Sequence, residues 1–181
     1  AGWLNKAPTI LRFGTLFGMS PRMRFDLVIN LFVAQAIQEK QITVFGGDQY
    51  RPFLHVDDAA DALIFALEKN LTGTYNVISE NLTIKQAAEK ISDATGCKIN
   101  ISNENEDKRN YKVSAEKLMQ VGFHPSRTIN DAIKEIGEAI ENKEITNYAD
   151  EKYSNYKLLF GSKEMQEKVF MLGIPGSLDV P

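Results

Sequence analysis

Short apolar runs rich in β-branched residues recur between helix-like stretches along most of this chain. That alternation of period two with period 3.6 confines it to an α/β fold. Thr9 to Leu16 follows a proline and reads as a buried strand, with Gly14 and Gly18 loosening its exit into a loop at Met19-Ser-Pro-Arg22. Residues 26 to 39 carry apolar groups on most of a helical circumference, which predicts a well-buried helix with Asp26 as its N-cap. Ile42 to Phe45 and Phe53 to Val56 read as short strands. Asp57 then caps a helix through Leu67, in which Ala59, Ala60, Ala62 and Ala66 allow close packing on a sheet. Tyr75 to Ile78 is a further strand, Thr83 caps a helix that Gly96 stops after Thr95, and Lys98 to Ile101 returns extended. The polar run Ser102 to Arg109 reads as an exposed loop, followed by helices over Ser114 to Gln120 and Thr128 to about Asn142.

Composition narrows what such a fold can do. With 181 residues, 43% hydrophobic and 25% charged, the chain can bury one sizeable core. A net charge of -3 and a pI near 5.5 argue against a general nucleic-acid surface, which needs clustered excess Lys and Arg. Cys97 is the single cysteine, and the two histidines, His55 and His124, are far apart in sequence, so no metal site is expected. The longest apolar run, Leu27 to Ile37, is broken by Asn30 and Gln35 and is far short of a membrane span. No signal-peptide pattern is present, and the expected location is a reducing cytoplasm with no membrane partner.

Chemistry is carried by short motifs that occur in a fixed order: Leu11-Arg-Phe-Gly-Thr-Leu-Phe-Gly18, Arg51-Pro-Phe-Leu-His-Val-Asp-Asp58, Thr74-Tyr-Asn-Val77 and Asp107-Lys-Arg-Asn-Tyr111. Together they resemble the LRxxxxYG strand, the RDxxHVxD segment and the later landmarks of extended short-chain dehydrogenases, the NAD-dependent nucleotide-sugar epimerase/dehydratase family. The resemblance covers roughly residues 9 to 145 and corresponds to the C-terminal half of such an enzyme. It implies the last strands of a Rossmann-like sheet with a small mixed substrate-binding lobe over residues 1–145. An arm or tail follows over residues 146–181, including a helical-looking stretch from Lys163 to Leu172.

The family's catalytic half has no counterpart in the sequence. A dinucleotide fold grips pyrophosphate with a Gly-rich turn at a helix N-terminus, and no GxGxxG occurs here. The family's Tyr and Lys four apart, in which the lysine lowers the tyrosine pKa, have two look-alikes, Tyr148/Lys152 and Tyr153/Lys157. Both fall after the last landmark, whereas the family places its pair before the strand at Thr9 to Phe13. No catalytic residue is therefore assigned. The expectation is a truncated or proteolysed enzyme that binds a nucleotide diphosphate weakly, catalyses nothing alone, and self-associates through exposed sheet surface.

What remains is recognition. Arg51 is expected to pair with a substrate diphosphate, since guanidinium stays charged and offers forked donors to phosphate oxygens. The resemblance adds Arg109 as a second cation on the same diphosphate, Thr15 near the sugar where many relatives have Asn, and Asn76 near the ribose and phosphate. It also places Leu27 and Val28 against the nucleotide, with Thr43 and Phe45 flanking the base, Phe45 able to stack on it. Phe13 and Gly14 fall where relatives line the nicotinamide pocket of NAD or NADP. His55 reads as a satisfied core histidine supporting its strand. The partner implied is a nucleoside-diphosphate sugar, with a homo-oligomer expected. The reaction implied is transient oxidation of a sugar hydroxyl followed by epimerisation or elimination; a ketoreductase of the same family and a non-enzymatic redox sensor or scaffold are the alternatives. Most such enzymes serve cell-surface polysaccharide synthesis.

Overall fold

The computed structural model describes residues 7–102 and 109–161. Strand and helix alternate as β1 (Thr9–Phe13), β2 (Thr15–Phe17), α1 (Val28–Gln38), β3 (Gln41–Phe45), β4 (Tyr50–His55), α2 (Val56–Glu68), β5 (Gly73–Val77), β6 (Glu80–Thr83), α3 (Ile84–Thr95) and β7 (Lys98–Ser102). Then come α4 (Glu116–Gln120), α5 (Ile129–Glu141), a 3-10 turn at Glu151–Tyr153 and α6 (Asn155–Phe160). The fold is α/β. The stretch Lys163 to Leu172 and most of the polar loop, Asp107 included, lie outside the described residues.

β1 pairs in parallel with β5, β2 in parallel with β4, and β3 in parallel with β7, while β6 runs antiparallel on the other edge of β4. The one strand expected over Thr9 to Leu16 is thus two, and Gly14 is the junction. Its N–H donates to the Val77 carbonyl at 3.0 Å, extending the β1 ladder, and from Thr15 onward the chain is in register with Phe53 of β4. A Cβ at Gly14 would lie 2.9 Å from the Pro52 carbonyl oxygen and 3.0 Å from Ile78 Cγ2, so the crossing admits only a bare backbone. Nor is β1 buried. Thr9, Ile10, Arg12 and Phe13 are exposed, because among the described residues β5 is its one strand partner and its other edge is open.

Two apolar clusters cover the sheets. Ile29 and Val33 of α1, Ile42 and Val44 of β3, Ile91 of α3 and Ile136 of α5 join in the larger one. Leu54, Ala59, Ala62, Val77, Leu118 and Phe123 form the smaller one beneath α2. Each such side chain, fully buried, contributes about 1.5 to 3 kcal/mol if large and aliphatic or aromatic.

Helix ends show where local chemistry decides. Thr83 accepts from the Gln86 N–H at 3.0 Å while the Gln86 side chain accepts from the Thr83 N–H at 2.9 Å, and Gly96 closes α3 at φ 70°. α1 starts two residues later than expected. The Asp26 carboxylate is held by Arg24 Nε and Nη2, both at 2.9 Å, so it is not available as a cap and Leu27 stands at that position. α2 is capped by His55 rather than Asp57, its Nδ1 accepting the Asp57 N–H at 3.2 Å. β6, polar in sequence and not anticipated, exists because β4 offers it an edge.

Candidate functional site

Two clefts open on either side of Thr15. One, of about 560 Å³, is lined by Phe13, Gly14, Thr15, Asn76, Tyr111 and Ser114, among others. The other, of about 340 Å³, lies between Thr15, Gly18, Ser20, Arg22, Arg24 and Leu27. Thr15 belongs to both because the shift from β1 to β2 at Gly14 puts it at the C-terminal end of one sheet and the start of the next.

The far wall of the larger cleft is residues 111–114, which with Arg109 and Asn110 before them have no regular structure and are fastened across three strands by side chains. Asn81 of β6 brackets Val113, its Nδ2 donating to the Val113 carbonyl and its Oδ1 accepting the Val113 N–H, each at 2.9 Å. Asn76 of β5 donates through Nδ2 to the Ser114 carbonyl at 3.0 Å. Asn110 Oδ1 accepts the Tyr50 N–H at 3.0 Å, and the Lys112 ammonium lies 3.8 Å over the Tyr50 ring.

Arg51 completes this fastening. It is buried, 7% exposed, and its Nη1 donates to the Tyr50 carbonyl at 2.8 Å and to the Arg109 carbonyl. Its guanidinium also lies 5.5 Å from the centre of the Tyr111 ring. The structure therefore brings Arg51 and Arg109 to one place, although they are 58 residues apart. The link is through the Arg109 backbone, and the Arg109 side chain is exposed.

The remaining residues singled out from sequence are spread more widely. Leu27, at the start of α1, lines the smaller cleft; Val28 packs on the larger core. Thr43 and Phe45 sit on β3, paired with β7, and line neither cleft described; the Thr43 N–H donates to Gln35 Oε1 at 3.3 Å, and the Phe45 ring is 44% exposed. Phe13 is exposed at the mouth of the larger cleft.

The Tyr148/Lys152 look-alike lacks the electrostatics of a general base. Burial, then the Glu39 carboxylate that accepts the Tyr148 hydroxyl, push Tyr148 upward, opposite to what a phenolate needs. Lys152 sits 3.6 Å from Asp150 and 4.8 Å over the Tyr153 ring.

Sequence reading passed over two groups near the clefts. Asp58, 2% exposed, accepts the N–H groups of Ser126 and Arg127 at 3.2 and 2.9 Å and Arg127 Nη1 at 2.8 Å. Asp61, at 2.7 Å from the same Nη1, is the main cause that raises the Arg127 pKa, with Asp58 adding to it. The second group is Glu135, whose Oε2 accepts the Met19 N–H at 3.1 Å. That oxygen also lies 3.3 Å from His55 Nε2, without making a hydrogen bond to it. His55, Asp57 and Glu135 are grouped as metal ligands would be. The helix cap argues against that role: Nδ1 accepts the Asp57 N–H, so in the neutral ring Nε2 carries the proton and has no lone pair for a cation. No periodicity or motif links residues 19, 55 and 135 in sequence, so only the fold reveals them.

Residues 5–78 match the NAD dependent epimerase/dehydratase family. UDP-glucuronic acid decarboxylase 3 of Arabidopsis thaliana is 30% identical over 132 residues, 68% of this chain and 39% of that protein. The crystal structure of UDP-N-acetylglucosamine 4-epimerase from Bacillus cereus superposes with a TM-score of 0.60 at 28% identity, over 75% of this chain and 46% of its own. UDP-glucuronic acid 4-epimerase of Bacillus cereus, in complex with UDP-4-deoxy-4-fluoro-glucuronic acid and NAD, superposes with a TM-score of 0.59 at 26% identity, over 75% of this chain and 45% of its own. This chain spans less than half the length of each of these relatives. Among the described residues no helix is long and apolar enough to cross a membrane.

Proposed function

We propose, from the premise that residues 5–78 belong to the NAD dependent epimerase/dehydratase family, that this chain supplies the substrate-binding face of an enzyme acting on a nucleoside-diphosphate sugar. The observation that carries the reading is the cleft between Phe13–Thr15 and residues 111–114, with Arg51 fastening the segment at Arg109 that leads into this wall. In this reading Arg109 and Arg51 face the diphosphate, where forked N–H donors match phosphate oxygens. The Thr15 hydroxyl hydrogen-bonds the sugar, Asn76 holds the wall that meets the ribose, and Leu27 and Val28 flank the nucleotide. Thr43 and Phe45, outside both clefts, meet the base on the β3 side.

NAD or NADP would supply the hydride acceptor for a sugar hydroxyl. The residues present suit one end of it. The exposed Phe13 ring at the cleft mouth offers a flat face to nicotinamide, and Gly14, closed in by Pro52 and Ile78, offers backbone alone. Among the described residues no glycine-rich turn opens a helix, so none of them cradles the pyrophosphate.

Titration calorimetry with UDP, TDP, GDP and CDP tests the reading. One diphosphate is expected to bind, and Arg109→Ala and Arg51→Lys each to weaken it by about 1.5 to 3 kcal/mol, the range for a hydrogen bond to a charged group. Binding unchanged in both variants would remove the arginines from the site.

A further inference from the structure

The ten residues from Gly18 to Leu27 join β2 to α1 and form one side of the smaller cleft, yet contain no helix or strand. Backbone groups in such a segment must find partners elsewhere. Asn30, 3% exposed, ties the start and the middle: its Oδ1 accepts the Gly18 N–H and its Nδ2 donates to the Arg24 carbonyl, each at 3.0 Å. The middle and far end are tied to the C-terminal part of the chain, the part lying beyond the last family landmark.

There the contacts converge on Arg22 and Phe25. The Phe25 N–H donates to the Tyr153 carbonyl at 3.1 Å. The Phe25 ring, 4% exposed, meets Tyr153 edge-on at 5.1 Å and Tyr148 at 6.2 Å. Arg22 Nη2 donates to Asn155 Oδ1 at 2.8 Å. Burial works to raise the Asp26 pKa, but the Arg24 fork outweighs it and holds the carboxyl low. The arm is itself anchored at its root by the Tyr148 hydroxyl donating to Glu39 at the end of α1.

We propose that the arm, residues 147–158, is a positioning element of the nucleotide site. It straps the Gly18–Leu27 segment against α1 and fixes where Arg22 and Leu27 stand at the cleft. The proposal rests on the nucleoside-diphosphate reading above. Asn155 is the discriminating residue because its side chain holds a cleft-lining cation, Arg22. A merely structural arm would stabilise the fold without touching affinity.

The test uses the whole chain in three forms: unaltered, Tyr153→Ala/Asn155→Ala, and Asn155→Asp, which keeps an acceptor for Arg22. Hydrogen exchange reads the amides of Gly18–Leu27, and calorimetry with UDP, TDP, GDP and CDP reads affinity. In the double variant faster exchange at Phe25 is expected, with a dissociation constant raised about three- to tenfold, as losing one or two net hydrogen bonds gives. Asn155→Asp is expected to restore affinity. Faster exchange with unchanged affinity would overturn the proposal, as would unchanged exchange. If the double variant fails to fold, Asn155→Ala alone decides on the same two readouts. An unaltered chain that binds no nucleoside diphosphate would sink the site reading, and this proposal with it, whereas binding that the variants leave intact sinks the strap alone.

Discussion

Asp58 shows how much a single buried carboxylate can organise. It lies in the first turn of α2, almost fully enclosed, and satisfies two backbone N–H groups and a guanidinium on the approach to α5. Removing it leaves those donors without their acceptor, which costs more than the net value of the bonds. Asp58→Ala is therefore expected to lose about 2 to 3 kcal/mol in urea unfolding, discounted for the partial exposure of Arg127; a loss within 0.5 kcal/mol, the scale of an ordinary surface change, would contradict the assignment. Arg51 was legible in sequence as a residue of consequence because its motif is distinctive. Its burial and its hold on the Arg109 carbonyl were not, since a contact across 58 positions leaves no local pattern. Asn within a strand is unfavourable unless its amide is used, and the Asn76 amide is used, on the Ser114 carbonyl.

At the scale of elements, the legible parts are those whose ends are chemically marked. α3 has its Thr83 and Gln86 pair and its Gly96 stop, and α5 opens at Thr128, where the N–H and hydroxyl donate to Asp131 Oδ2 at 2.7 and 2.8 Å. Misread elements are those where a tertiary partner outbids the local one. Asp26 is drawn to Arg24, β6 pairs only because β4 lies beside it, and Gly14 breaks a run that looks continuous because the chain changes sheets there. The Asp131 cap carries a pH signature. Thr128, by its backbone and then its hydroxyl, lowers the Asp131 pKa, so the stabilisation is present above the unfolded carboxylate value and is lost as pH falls through the lower folded value. Asp131→Asn should therefore flatten the loss of stability below about pH 4. Urea midpoints from pH 2 to 7 check this, and an unaltered acid limb would deny the cap its role. The effect should be small, because the group is exposed and screened.

For the whole molecule, the α/β class followed from alternation alone, but the disposition of apolar surface did not. Ile10 and Phe13 on β1, with Leu63, Ile64 and Leu67 on α2, are between 38% and 78% exposed, where a buried strand and a packed helix had been expected. Apolar surface beside an open strand edge favours association. Light scattering at rising concentration is expected to show a mass above the 20.3 kDa of one chain; a constant monomer mass would contradict it. The central claim remains the nucleoside-diphosphate site around Thr15, and amide chemical-shift mapping with UDP, TDP, GDP and CDP tests it most directly. One of them should move the signals of Phe13–Thr15, Leu27, Val28, Asn76 and residues 109–114 together, leaving α3 and the far end of α5 still. Shifts elsewhere, or none with any of the four, would contradict the account.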